Sequence, residues 1–196
     1  DPIGNQEAPD GESYDIQGLR IALEPYVRNA RTGEITIDPE RDRQYTAYTG
    51  EKIQESFLCY TVIMPTQLIS YALFEILHAR YQDWDLYRLL RLVGEEIVTW
   101  DTLRIAVEAL LSELQQLASQ QRVTLSPVLL EHRPARIAEM GVDYLRMYHL
   151  SKPVEYHEEG ILLNRLDLLY FYSNRIRSYQ LDNRAWLAKV QTTSPT

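Results

Sequence analysis

Apolar residues recur every third or fourth position over two long stretches, and these stretches set the expected architecture. After Pro65, Leu68, Ile69, Ala72, Leu73, Ile76 and Leu77 line one face of a helix. From Trp100 to Gln121, Leu103, Val107, Leu110, Leu111, Leu114, Leu117 and Ala118 form a second stripe. Asp38-Pro39 signals a helix start, since Asp can cap free amides and Pro tolerates the first helical position. The pattern then predicts a helix from Pro39 to about Leu58, weakened at Gly50. Asp85 is placed to cap a short helix, Leu86 to Leu92, which Gly94 breaks. Ala135 to Met147 reads as a further helix.

Extended structure is sparser. Thr61 to Met64 and Arg122 to Leu125 are short β-branched runs, stopped by Pro65 and Pro127. Val154 to Leu163 predicts a β-hairpin turning at Gly160. Asn164 and Asp167 have capping-box spacing for a last helix reaching about Tyr179. Residues 1–37 read as loop and short extended pieces that link to something upstream. The helical domain is expected over 38–191, with a disordered tail at 192–196. The expected fold class is therefore mainly α with a small β component (α+β), a helical bundle with a hairpin and a winged-helix-like order.

Charge narrows the partners. Twenty Lys and Arg against 28 Asp and Glu give a net charge of -8, which opposes broad contact with nucleic-acid phosphates. No run of 18 apolar residues exists to span a bilayer. The single thiol, Cys59, fits a reducing compartment and reads as a small apolar side chain. The chain begins at Asp1 without an initiator Met, which suggests a piece of a longer polypeptide.

Few residues suggest chemistry. His78 and Asp83 have the spacing of an acyl-transfer pair, in which His acts as base on a hydroxyl and Asp orients its ring. On a helix, five steps turn the two side chains about 140° apart, so a surface His beside a turn Asp is the expectation. His132, His149 and His157 are scattered without zinc-like spacing. Glu95-Glu96 and Glu158-Glu159 read as solvated pairs. No GxSxG, GxGxxG or P-loop is present, and neither a cofactor nor a metal is expected. Two basic-aromatic groups remain: Arg80, Tyr81, Arg88 and Arg91 at a helix junction, and Arg175, Arg177 and Tyr179 near the end of the last predicted helix. Each could meet a phosphate, or a carboxylate on a neighbouring domain.

The segments DPIGNQEAPDGESYD, DPERDRQYT, YTGEKIQES, VIMPTQLISYALFEIL, DLYRLLRL and DLLYFYSNRI occur in this order. Over Asp1 to about Leu181 the chain resembles the C-terminal region of bacterial glycerol-3-phosphate acyltransferases of the membrane-associated PlsB type. The resemblance implies a helical C-terminal domain packed on an upstream acyltransferase domain, which carries the catalytic His, Asp and phosphate-binding motifs. The implied reaction joins glycerol 3-phosphate to an acyl group from acyl-CoA or acyl carrier protein, giving 1-acyl-glycerol 3-phosphate. It further implies a peripheral protein on the cytoplasmic side of the membrane, and a fragment inactive by itself. No catalytic role passes to His78 or Asp83. Two other readings stand beside it: a winged-helix-like protein-interaction or DNA-binding module, with Trp100 to Gln121 as the candidate recognition helix, and a structural adaptor without a ligand.

Overall fold

Helix α2 (Pro65–Arg80) is the centre of the unit formed by residues 57–196. The expected stripe is buried, and so are Tyr71, Phe74 and Glu75 between its members, so α2 is enclosed on nearly all sides from Leu68 to Leu77. In this computed structural model, residues 39–91, 96–182 and 184–193 are described. Contacts divide the chain into two units, Asp1–Ser56 and Phe57–Thr196. Helix α1 spans Pro39–Tyr60 and passes through Gly50 without a break. The expectations for 1–37, and the break expected at Gly94, fall outside the described residues.

Within Phe57–Thr196, α2 packs against α4 (Trp100–Ser119), α6 (Pro134–Met147) and α7 (Leu166–Arg177). Gly141 of α6 permits a close crossing, because a Cβ there would lie 2.3 Å from Ile69 Cγ1. The Asp85 carboxylate caps the short helix α3 (Leu86–Leu90) by accepting from the Arg88 amide at 2.8 Å. Thr99 caps α4 by accepting from the Thr102 amide.

Two small sheets complete the fold. Strand β1 (Val62–Ile63) pairs in parallel with β3 (Thr124–Leu125). Strands β2 (Glu96–Val98), β4 (Val154–His157) and β5 (Gly160–Leu163) form an antiparallel sheet in the order β2-β5-β4. Gly160 adopts φ +157, and a Cβ there would meet Val98 O at 2.2 Å. The turn thus needs glycine for space as well as for conformation. The fold is mainly helical with a small sheet component, an α+β arrangement. Helix α2, strand β2, helices α4 and α6, and the β4–β5 hairpin come in that order along the chain, with short elements between them.

Several local expectations are corrected. Glu96 is not a solvated acid: it sits in β2, paired across to Leu163. Asn164 does not cap α7: the N-cap position falls on Arg165 with no side-chain cap bond, and the Asn164 backbone amide donates to Pro153 O. Asp167 instead accepts two hydrogen bonds from the Arg165 guanidinium, which hold its carboxyl below the usual range. Pro127 closes a strand and also opens a short helix, α5 (Pro127–Glu131). Beyond α7 the chain forms another helix, α8 (Arg184–Thr193), anchored by the buried Trp186 against α4. The expected tail thus retains helix at 192 and 193, while 194–196 lie outside the described residues.

Candidate functional site

The five arginines singled out by the sequence do not converge on one cation site. Helix α2 ends at Arg80, and its guanidinium reaches across to β2. There it donates to Glu96 Oε2 at 3.1 Å and to Ile97 O at 2.9 Å. Tyr81 donates its hydroxyl to the other Glu96 oxygen, and that bond is the main cause of its raised pKa. Arg80 is therefore a clamp between helix and strand.

Arg88 and Arg91 lie over aromatic rings. The Arg88 guanidinium is 4.1 Å from the Trp84 ring, which in turn stacks on Tyr81 at 4.6 Å. Arg91 covers the exposed Tyr87 ring at 4.3 Å. Both arginines are exposed, and a ring contact of this kind consumes none of their N–H donors.

The pairing of Arg175 with Arg177 is corrected. Two helical steps leave side chains about 160° apart, so Arg175 stays exposed while Arg177 turns inward. Arg177 donates to Glu75 and, at 3.1 Å, to Ser173 Oγ. Phe74 and Tyr170 flank its guanidinium at 4.8 and 5.0 Å. Glu75 is only 8% exposed, so this pair balances a buried carboxylate and ties α2 to α7. The pair is structural, and Arg177 is not free for a phosphate.

His78 and Asp83 are not joined, although the helix ends at Arg80 and Asp83 lies beyond it. His78 Nδ1 faces Glu75 Oε2 at 3.9 Å on its own helix, and no hydrogen bond joins it to Asp83 in the following turn. The other histidines are equally separate. His149 Nε2 lies 3.0 Å from Tyr172 OH, and His157 Nδ1 accepts from the Glu159 amide at 3.2 Å. Among the described residues, no group of His, Cys, Asp and Glu is placed to hold a metal ion.

One feature escaped the sequence. An open groove of about 480 Å³ lies between the first turns of α4 and α6 and strand β4, walled by Trp100 and Tyr156. Its residues come from three distant segments, and only hairpin register could have brought Tyr156 to attention.

No family model, curated protein or solved structure matches the chain. Among the described residues no helix is long and apolar enough to cross a membrane.

Proposed function

We propose that this chain is the C-terminal accessory domain of a glycerol-3-phosphate 1-O-acyltransferase, with acyl transfer performed by a preceding domain. The ordered resemblance running from Asp1 to about Leu181 carries the reading. The separation of His78 from Asp83 agrees with it, because an acyl-transfer base needs its orienting carboxylate within hydrogen-bond reach. In this role the chain supports the catalytic domain or shapes its acyl-donor side. The donor is acyl-CoA or acyl carrier protein, and the whole enzyme sits peripherally on the cytoplasmic face of the membrane.

The test is an acylation assay on the purified 196-residue chain, beside an enzyme that carries this region after its acyltransferase domain. The isolated chain is expected to give no lysophosphatidate, and His78→Ala in the longer enzyme should leave turnover unchanged. Robust turnover by the isolated chain, lost on His78→Ala, would overturn the assignment.

The strand order β2-β5-β4 favours a second reading, a winged-helix-like protein-interaction module. Its DNA-binding form is opposed by charge. The hairpin tip is Glu158-Glu159, and on α6 Arg136 pairs with Glu139 while Arg146 lies beside Asp143. A phosphate backbone would meet acids at the tip and neutralised cations on the helix. Likeness of fold alone assigns no function.

A further inference from the structure

We propose that the face formed by the β4–β5 hairpin and the first turns of α4 and α6 binds an extended basic segment of a protein partner. The inference stands independently of the acyltransferase reading. It rests on the juxtaposition of an open strand edge, an aromatic-walled groove and an acidic hairpin tip.

The groove has a prepared aromatic wall. Trp100 and Tyr156 lie 5.8 Å apart between ring centroids, at 35°. Tyr156 is already fixed, since its hydroxyl donates to Asp143 Oδ1 at 2.6 Å and the Arg146 guanidinium covers its ring at 4.1 Å. Ala135 and Ala138 leave the floor shallow, so a side chain from outside has room. Rings immobilised before binding lose little entropy when a partner arrives. Aromatic faces also favour a cation over an anion.

Charge selects the sign of the partner. Around the groove four cations have an acid close by, and exposed Arg133, just before α6, has no ion pair among the described residues. Arg104 is 3.1 Å from Asp101, Arg136 is 2.9 Å from Glu139, Arg146 is 3.6 Å from Asp143, and Lys152 is 3.9 Å from Glu155. Glu158 and Glu159 remain, exposed at the turn and without an ion pair among the described residues. Two unpaired acids against the single unpaired Arg133 leave the excess charge of this face negative, and it sits at the hairpin turn. It attracts a basic segment and repels nucleic acid or an anionic lipid surface.

The backbone supplies the binding mode. Strand β4 is an edge of the sheet, and among the described residues no strand pairs with its outer side. An extended peptide can add there through main-chain hydrogen bonds, its alternate side chains falling toward the groove or the solvent. The opposite edge is closed differently, because Arg80 already donates to Ile97 O on β2. Only the β4 edge combines open backbone groups with the groove.

Fluorescence anisotropy of labelled peptides on the full chain tests the proposal at physiological ionic strength, where diffuse attraction is screened. The probes are Arg-Val-Arg-Thr-Arg-Val-Arg, the same peptide with every Arg replaced by Glu, the basic peptide N-methylated at alternate residues, and a short duplex DNA. The basic peptide should saturate, while the acidic peptide and the duplex should not bind. N-methylation, and separately Glu158→Lys combined with Glu159→Lys, should each weaken binding about tenfold or more. Circular dichroism of the lysine variant should match that of the native chain, because both positions are exposed. No binding at roughly millimolar basic peptide, equal binding after N-methylation, undiminished binding by the lysine variant, or equal binding of DNA would each overturn it.

Discussion

At the scale of single residues, two glycines in helices show why position decides a substitution. A Cβ at Gly141 would meet Ile69 Cγ1 at 2.3 Å and Pro65 O at 3.0 Å, and the second contact is backbone that cannot rotate away. Gly141→Ala should therefore destabilise by roughly 1–3 kcal/mol, read as a lower urea midpoint. Gly50 has nothing within 4 Å, so Gly50→Ala should strengthen α1 by roughly 0.5–1 kcal/mol, read as increased helical circular dichroism. An unchanged midpoint for Gly141→Ala would mean that α2 and α6 part more easily than their crossing suggests. The sequence offers no way to tell these glycines apart, because both occupy helical patterns and only tertiary packing separates them. The arginines were half legible for the same reason. Their presence near helix ends was plain, but whether each met solvent or a carboxylate depended on Glu75 and Glu96, which lie in other elements.

At the scale of elements, α8 is held against α4 by Trp186 at the cost of a carboxylate placed nearby. Glu113 of α4 is partly desolvated and faces Asp182 in the segment leading into α8, and both effects raise its pKa above 4.5. A hydrogen bond from the Asp182 backbone amide offsets part of the rise. A carboxylate with a raised folded-state pKa binds protons more tightly in the folded chain. Its contribution is therefore most favourable below the unfolded value, and stability is lost as pH rises toward the folded pKa. Glu113→Gln should raise the melting temperature at neutral pH, and the two proteins should converge below about pH 4. Equal melting at pH 7 would mean that solvent relieves the repulsion. Among elements, the long helices were legible because α2 and α4 keep a 3.6-residue period over several turns, and the hairpin because Gly160 marks its turn. Strand β2 was not, because three residues carry no usable period and their partner β5 lies over 60 positions away. Helix α8 was missed although Asp182-Asn183 before Arg184 are N-cap residue types, because ten residues are too few to be stable alone and the helix depends on the tertiary anchor Trp186.

For the whole molecule, net charge and the engagement of its arginines bear on one question, whether the chain by itself holds a phosphorylated substrate. The chain carries -8 overall, so an anion approaches against the average field and needs a local cation cluster to bind. Such a cluster would have to draw on arginines that the fold uses elsewhere. Arg80 bridges Glu96 and Ile97, and Arg177 neutralises the buried Glu75. Withdrawing Arg177 would take the guanidinium away from the buried Glu75 carboxylate, a loss that one exposed phosphate contact would not offset. Arg88 and Arg91 keep their N–H donors, but each sits on its own ring and no described helix N-terminus or glycine loop joins them to complete a phosphate cradle. A ligand that binds only the folded state stabilises by mass action, reaching about 2.7 kcal/mol at a hundredfold excess over Kd. Glycerol 3-phosphate or inorganic phosphate at roughly 10 mM, far above any Kd that a built site would give, should therefore leave the melting temperature of the chain unchanged in differential scanning fluorimetry. An upward shift with glycerol 3-phosphate, abolished by Arg88→Ala with Arg91→Ala and unaffected by sodium chloride of equal ionic strength, would show that the chain holds substrate directly and is more than a support for the domain that transfers the acyl group.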